Sequence, residues 1–372
     1  MTASFHWHPD TRLIAPPPDL TALAALVRAG TSLRAGQGGV AGHSGADLLC
    51  ETSGSSGAPK VIRRTPASWQ ASFAVNAAAL DLGLQSCVAL FSGFGASLAL
   101  YAALEAAHHG AAIVSLAQVR PDRWAATLAA QGATVLYLTP VQLDLICAAG
   151  IPLPAVQHIM VGGGRLSAQT TIAAARACPN AQLIQFYGAA ETSFITWTDA
   201  DTPSGSVGKP YPGVTLRLDS KGVIWVRSPY LFHSYAQGSS SDTEWKGGFL
   251  TVGEVGRLDA DGNLFVLGRS SRMVTVSDHN VFPEAVEAFL AALIPTAQAA
   301  VVALPDARRG ARLVAVLGGD CDMAKADVLR ACRKQLGPLA APQRIHTVPA
   351  LPLLPAGKPD YAAITALAQD LT

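Results

Sequence analysis

Charge is scarce in this chain of 372 residues: Asp, Glu, Lys and Arg make up 14% of it, against roughly 25% in an average globular protein. The formal net charge is +1 and the charges are scattered, which excludes the basic stripe of a nucleic-acid-binding protein. Long apolar runs are lacking too. The longest, Ala96 to Ala107, contains Glu105 and is too short to cross a bilayer. Hydrophobic residues reach 50%, but much of that share is alanine, which points to helices rather than to a membrane span. The six cysteines (Cys50, Cys87, Cys147, Cys178, Cys321 and Cys332) stand far apart inside apolar segments without a CxxC pair. They read as small buried residues, not as disulfides or zinc ligands. The nine histidines show no metal spacing, and His108-His109 reads as a helix end. The first eight residues, from Met1 to His8, lack the basic start and apolar core of a signal peptide. A cytoplasmic location is the expectation.

What the chain does have is the stretch Thr52-Ser-Gly-Ser-Ser-Gly-Ala-Pro-Lys60. Four hydroxyls, two glycines, a proline and a terminal lysine follow the strand-like run that starts at Asp47. Glycines let backbone approach a ligand closely, and successive N–H groups in such a loop form an anion-binding nest. Thr52, Ser53, Ser55 and Ser56 add donors, Gly54 and Gly57 add freedom, and Lys60 adds a point charge, so the loop suits a polyphosphate. It is not the P-loop of NTPases, since the glycine-to-lysine spacing differs and no Ser or Thr follows Lys60. A flexible Gly/Ser linker is the plain alternative.

Residues 1 to about 45 are weakly patterned, with one short helix expected at Leu20 to Ala29. Strand-like runs follow at Cys87–Phe91, Ala111–Leu116, Thr134–Leu138, Gln157–Val161 and Gln182–Phe186. They alternate with helical stretches at Ser68–Leu82, Ser97–His108, Arg123–Ala130, Val141–Ala149 and Ala168–Ala177. Such alternation predicts an α/β fold with a parallel sheet covered by helices on both faces. Near Gly205 the texture changes to short strands with tight turns, Thr215–Leu218, Val223–Arg227, Leu258–Asp259 and Leu264–Leu267, which predicts a small antiparallel β module over about 205–269. A small α+β segment is expected from 270 to 372. It holds helices at Pro283–Leu293 and Lys325–Leu336 and strands near Ala299–Ala303 and Arg312–Leu317.

Further signals fall where ligands bind in open α/β sheets, beyond the carboxyl ends of strands. Tyr187-Gly-Ala-Ala-Glu191-Thr192 follows one strand: Tyr187 can face a base and Glu191 can hold a Mg²⁺ that bridges phosphates. Val161-Gly-Gly-Gly164 ends another strand with bare backbone, placing Gly163 and Gly164 on a pocket floor. Gly205-Ser-Val-Gly-Lys-Pro210, Thr251-Val-Gly-Glu254 and Gly268-Arg269 come next, and Leu351-Pro-Leu-Leu-Pro-Ala-Gly-Lys358 ends the series. Alone, Glu191 and Lys358 would read as a solvated acid and a surface lysine. In this joint order, from about Leu48 to Ala363, the sequence resembles the adenylate-forming superfamily of acyl-CoA synthetases, adenylation domains and luciferases.

The resemblance implies a large N-terminal αβ domain (1–269) and a small mobile lid domain (270–372). It implies a two-step reaction in which a carboxylate attacks the α-phosphorus of Mg·ATP and a thiol then displaces AMP. By the same resemblance Thr52, Ser53, Gly54, Ser55, Ser56, Gly57 and Lys60 hold the β- and γ-phosphates. Tyr187, with Gly188 and Ala189 beside it, packs on adenine, and Glu191 binds Mg²⁺. Glu254 grips the ribose hydroxyls with Arg269 next to it, and Lys358 spans the substrate carboxylate and the α-phosphate. The implied substrate is a fatty or aromatic acid, and the implied acceptor is CoA or a carrier protein's phosphopantetheine. Nucleic acid is not an expected partner.

The sequence departs from the family pattern at several points. Only some fifty residues precede Thr52, so a shortened front is expected, covered by a reshaped N-terminus, a twin subunit or a partner. Ala190 stands where Thr is usual, Glu254 where Asp is, and Ser271 where the hinge has Asp or Lys. Phe91 to Gly95 lacks the family's histidine. Ser277-Asp278-His279 replaces a glycine-rich stretch that lines the pantetheine tunnel of CoA-forming members. A subunit that binds nucleotide or acyl groups without catalysing alone is the alternative to an active acid–thiol ligase.

Overall fold

Four short apolar runs, Cys87–Leu90, Ala112–Ser115, Val135–Leu138 and His158–Val161, form the centre of an eight-stranded sheet. Its order is Leu13–Ile14, Ala112–Ser115, Cys87–Leu90, Val135–Leu138, His158–Val161, Gln182–Ala189, Ser193–Trp197, Lys209–Pro210, and the first six strands are parallel. Parallel strands are covered on both faces, which is why Cys87–Leu90 and Val135–Leu138 are buried at every residue and read as continuous apolar runs. The helices Ser97–His108, Trp124–Gln131, Pro140–Ala148 and Ala168–Ala177 connect them. The α/β class and the alternation are therefore as the sequence predicts.

The computed structural model describes residues 4–52, 60–353 and 359–371. The chain divides into two compact units: Met1–Arg217, Trp225–Val252 and Leu258–Phe265 in the first, and Leu218–Ile224, Gly253–Arg257 and Val266–Thr372 in the second. Among the described residues no helix is long and apolar enough to cross a membrane. The six cysteines are free, and Cys50, Cys87, Cys178 and Cys332 are buried.

In the first unit a second sheet has the order Ser234–Gln237, Lys60–Arg64, Leu48–Thr52, Ser32–Gly36, Gly39–His43. The weakly patterned front therefore carries more than the helix Pro18–Arg28. It adds the edge strand Leu13–Ile14 to one sheet and the hairpin Ser32–Gly36/Gly39–His43 to the other. A two-residue strand and a glycine-rich pair such as Gly39-Val-Ala-Gly-His43 carry too little alternation to be read locally. The strands of residues 205–269 are shared out. Lys209–Pro210 joins the eight-stranded sheet and Ser234–Gln237 the five-stranded one, while Thr215–Leu218, Ile224–Arg227, Phe249–Thr251 and Glu244–Lys246 make a sheet of their own.

Beneath the large sheet lies a closed polar network. Glu105 is completely enclosed on the helix Ser97–His108 and accepts from Tyr101 Oη (2.9 Å), Asn76 Nδ2 (2.9 Å) and Tyr137 Oη. Tyr211 donates to Asn76 Oδ1 at 2.7 Å, and Ser72 Oγ meets Tyr101 Oη at 2.7 Å. Every member finds partners, as buried polar groups must. Burial outweighs these donors and lifts the Glu105 carboxyl to about 7.

The second unit centres on Ala297–Asp306, Gly310–Gly319 and Arg344–Val348, the first pair antiparallel and the second parallel. The helix Pro283–Leu293 is as expected. The helix from Lys325 runs to Ala340, but Gly337 (φ +82°) followed by Pro338 breaks it. The hairpin Val274–Val276/His279–Val281 and the final helix Tyr361–Asp370 were not legible in the sequence.

Candidate functional site

The strands on either side of the Ser/Gly-rich stretch pair antiparallel. Leu48–Thr52 pairs with Lys60–Arg64 in a register that sets Thr52 opposite Lys60, and Thr52 Oγ1 donates to the Lys60 carbonyl at 3.5 Å. The residues on both sides of the stretch are thus fixed by sheet pairing. Ser53, Gly54, Ser55, Ser56 and Gly57 lie outside the described residues. One residue before Thr52, the Glu51 carboxylate accepts from the Gln37 N–H (3.0 Å) and stands 3.9 Å from Arg34. A Cβ at Gly36 would sit 2.1 Å from that carboxylate, which would have to shift to admit it.

Tyr187, Gly188 and Ala189 lie on a strand, not on the loop expected after Phe186. The strand Gln182–Ala189 runs on and pairs antiparallel with Ser193–Trp197, with a register shift between Tyr187 and Gly188. This antiparallel return cannot be seen in the local pattern, because it depends on the partner strand. A Cβ at Gly188 would meet the Ser193 carbonyl oxygen at 1.8 Å, a backbone contact that nothing can relieve. The turn that remains is Ala190-Glu191-Thr192. Thr192 Oγ1 accepts from the Ala189 N–H (2.9 Å), the Thr192 N–H returns to the Ala189 carbonyl (3.1 Å), and Ser193 takes a left-handed φ of +55°.

Glu191 projects from that turn. Its Oε1 accepts from Tyr235 Oη at 2.7 Å, and its carbonyl accepts from the Phe232 N–H at 2.8 Å. Tyr235 belongs to Ser234–Gln237, the strand laid against Lys60–Arg64. Its ring centre lies 5.8 Å from Lys60 Nζ, and Thr243 Oγ1 is 2.9 Å from its hydroxyl. Burial, and then the neighbouring Glu191 carboxylate, push the phenol above its ordinary pKa, so it stays a donor. Tyr235 and Thr243 are site residues that the sequence did not single out; no local motif marks either. The structure brings Lys60 and Glu191 to opposite parts of one side chain, the ring and the hydroxyl of Tyr235.

Two further glycines stand at the end of His158–Val161. Gly163 has φ +79°, and the Gly164 carbonyl accepts from Gln185 Nε2 at 3.3 Å. Gly162 before them faces the ring of Phe186, where a Cβ would be 2.1 Å from Cζ. Across the point where strand order reverses, Thr139 caps the helix Pro140–Ala148 through a capping box with Gln142, and Gln142 Nε2 donates to Ser92 Oγ at 3.0 Å. That tie fixes the ends of two neighbouring strands where ligands bind in such sheets.

In the second unit Arg269 Nε stands 3.8 Å from Glu254 Oε1. The Arg269 N–H donates to Glu284 Oε1 (3.3 Å), and Ser270 donates through both N–H and Oγ to the Gly253 carbonyl. Arg272 lies 2.8 Å from Glu287, 3.2 Å from Glu284 and 3.8 Å from the centre of the Tyr361 ring. Ser277 and Asp278, in the place of the family's glycines, both take left-handed φ values, +46° and +65°, as the two-residue turn between Val276 and His279. Lys358 lies outside the described residues. No group of three metal-ligating side chains occurs among the described residues. A single carboxylate is nonetheless the donor set that suits Mg²⁺, which takes its remaining ligands from phosphates and water.

The sequence profile of the family described as AMP-binding enzyme matches residues 47–236, and that of the AMP-binding enzyme C-terminal domain matches 285–358. An uncharacterized acyl–CoA ligase of Bacillus subtilis, YhfT, is 30% identical over 322 residues, covering 82% of this chain and 65% of that one. A putative long chain fatty acid–CoA ligase of Staphylococcus epidermidis, VraA, is 26% identical over 304 residues, 80% of this chain and 66% of that one. The chain thus spans about two thirds of the length of these relatives. Among solved structures, the amide bond synthetase McbA of Marinactinospora thermotolerans superimposes with a TM-score of 0.75 at 24% identity, over 88% of this chain and 71% of that one. The o-succinylbenzoate CoA synthetase MenE of Bacillus subtilis, in complex with its acyl-adenylate intermediate, gives 0.76 at 22% identity, over 86% and 70%.

Proposed function

We propose an activity for this chain, which belongs to the AMP-binding enzyme family: ATP-dependent activation of a carboxylic acid to an acyl-adenylate, followed by transfer of the acyl group to a thiol. The observation that carries the reading is the convergence of Lys60 and Glu191 on Tyr235. A fixed cation and a fixed carboxylate, on the two elements that flank the loop and the turn, are what a polyphosphate and its divalent ion require.

In the first step a substrate carboxylate oxygen attacks the α-phosphorus of ATP, and the bond to the bridging oxygen breaks to release pyrophosphate. Such transfers depend mainly on positioning and charge neutralisation. In this reading Thr52, Ser53, Gly54, Ser55, Ser56, Gly57 and Lys60 hold the β- and γ-phosphates. Tyr187 packs on adenine beside Gly188 and Ala189, and Gly163 and Gly164 leave bare backbone beneath the ligand. Glu191 holds Mg²⁺, which when bound neutralises charge on the phosphates. Glu254 accepts from the ribose hydroxyls and Arg269 keeps it in place, a role consistent with their 3.8 Å separation. Lys358 neutralises charge between the substrate carboxylate and the α-phosphate. In the second step the thiolate sulfur attacks the acyl carbon and AMP leaves with the bonding electrons.

The acid is fatty or aromatic in this reading, as the resemblance of Ser193-Phe-Ile-Thr196 to acyl- and aryl-CoA ligases implies and as the names of the acyl–CoA and long chain fatty acid–CoA ligase relatives support. The acceptor is the thiol of CoA or of a carrier protein's phosphopantetheine. Lys358→Ala tests the assignment of steps. It should lower adenylate formation by roughly 10²–10³-fold, as loss of one transition-state donor does, and leave thioester formation from supplied acyl-adenylate intact. Equal loss of both steps would contradict a role for Lys358 confined to the first.

A further inference from the structure

Arg64 ends the strand that begins with Lys60, and its side chain is wholly enclosed. Nη1 donates to Ser193 Oγ (2.8 Å), Ser68 Oγ (3.3 Å) and the Tyr230 carbonyl (3.3 Å), and Nη2 donates to the Ala190 carbonyl (2.5 Å). The guanidinium lies 5.0 Å over the Trp69 ring. Among the described residues no carboxylate comes within ion-pair distance of it, and Nε has no hydrogen-bond partner. Burial draws this guanidinium down to about 10, while Cys50 and then Glu191 pull the other way. A buried cation without an ion-pair partner is a poor device for stability, since its desolvation is costly. Its contacts point to another role.

Those contacts fall on both ends of the turn that presents Glu191. Ala190 lies directly before Glu191. Ser193 lies two residues after it in a left-handed conformation and passes the tie on to the Tyr230 carbonyl (3.1 Å), five residues before Tyr235. Strained backbone of this kind persists only where its surroundings over-determine it. The tie at residue 190 uses the carbonyl, so alanine serves there as well as threonine would.

We propose that Arg64 is a positioning residue: it clamps the Ala190–Ser193 turn to the end of the Lys60 strand, holds the Glu191 carboxylate in place at the Tyr235 hydroxyl, and so controls affinity for the divalent cation that accompanies ATP. The inference rests on the nucleotide reading given above. Its test is ATP affinity of the whole chain measured by calorimetry with saturating Mg²⁺ and with EDTA, together with the Mg²⁺ concentration at half-saturation. Arg64→Lys should raise that concentration about tenfold, as loss of one or two hydrogen bonds of charged type does, and leave metal-free ATP binding within about threefold. Ser193→Ala, which keeps the guanidinium, should move it in the same direction by a smaller factor, and it carries the test alone if Arg64→Lys does not fold. Equal weakening with and without Mg²⁺, or an unmoved Mg²⁺ half-saturation in the folded variants, overturns the positioning role while leaving ATP binding established. Absence of ATP binding by the wild-type chain overturns the nucleotide reading and this inference with it.

Discussion

The Tyr235 hydroxyl donates to Glu191 Oε1 across 2.7 Å while its ring lies 5.8 Å from Lys60 Nζ. One phenol therefore stands between the cation after the Ser/Gly-rich loop and the acid after the strand Gln182–Ala189. Tyr235→Phe keeps the ring and removes the donor. A hydrogen bond to a charged group contributes about 1.5–3 kcal/mol, so acid-dependent pyrophosphate exchange should fall about ten- to a hundredfold. Glu191 would then be held by its backbone alone. Unchanged kinetics in a folded Tyr235→Phe variant would show that Glu191 needs no such partner.

The parallel core was legible because burial on both faces leaves a mark in every residue. Cys87–Leu90 and His158–Val161 fall within one residue of their expected bounds, and Ser97–His108 and Ala168–Ala177 match. The candidate site was legible only as motifs. Lys60, Tyr187 and Glu191 could be picked out by type and order. Tyr235 sits on Ser234–Gln237, a four-residue strand defined by its pairing with Lys60–Arg64. Arg64 gains meaning only from acceptors more than a hundred residues away. Long-range pairing writes no local period, which is why the local pattern puts Tyr187 on a loop and not on the strand it occupies.

Glu105 gives the first unit a pH dependence of definite sign. Its carboxyl titrates at about 7 when folded, against an ordinary value of 4.5, because burial favours the neutral form. The folded state then holds a proton that the unfolded state has lost. Stability from this group is complete below about 4.5 and declines as pH rises towards about 7. The decline is on the order of 3 kcal/mol, from about 1.4 kcal/mol for each pH step between the two values. Denaturant unfolding of wild type and Glu105→Gln from pH 4.5 to 7.5 should show the difference between them changing over that window and flat above it. A constant difference would contradict the assignment.

Ser277 and Asp278 occupy a turn whose two central φ values are both positive. Asn-Gly fits such a turn better than Ser-Asp, since asparagine and glycine tolerate the left-handed region. The double variant Ser277→Asn/Asp278→Gly should stabilise the second unit by about 1 kcal/mol, read as a higher denaturation midpoint. A lower midpoint would mean that the native side chains make contacts that outweigh the strain.

Exchange of labelled pyrophosphate into ATP, run with the wild-type chain, Mg²⁺ and a panel of fatty and aromatic acids, tests acid activation most directly. Exchange should require one class of acid, disappear with EDTA, and drop sharply in Lys60→Ala, the residue that pairs with Thr52 across the Ser/Gly-rich stretch. Binding of Mg·ATP without exchange for any acid would contradict acid activation, and would make the chain a nucleotide-binding protein that does not itself form an adenylate.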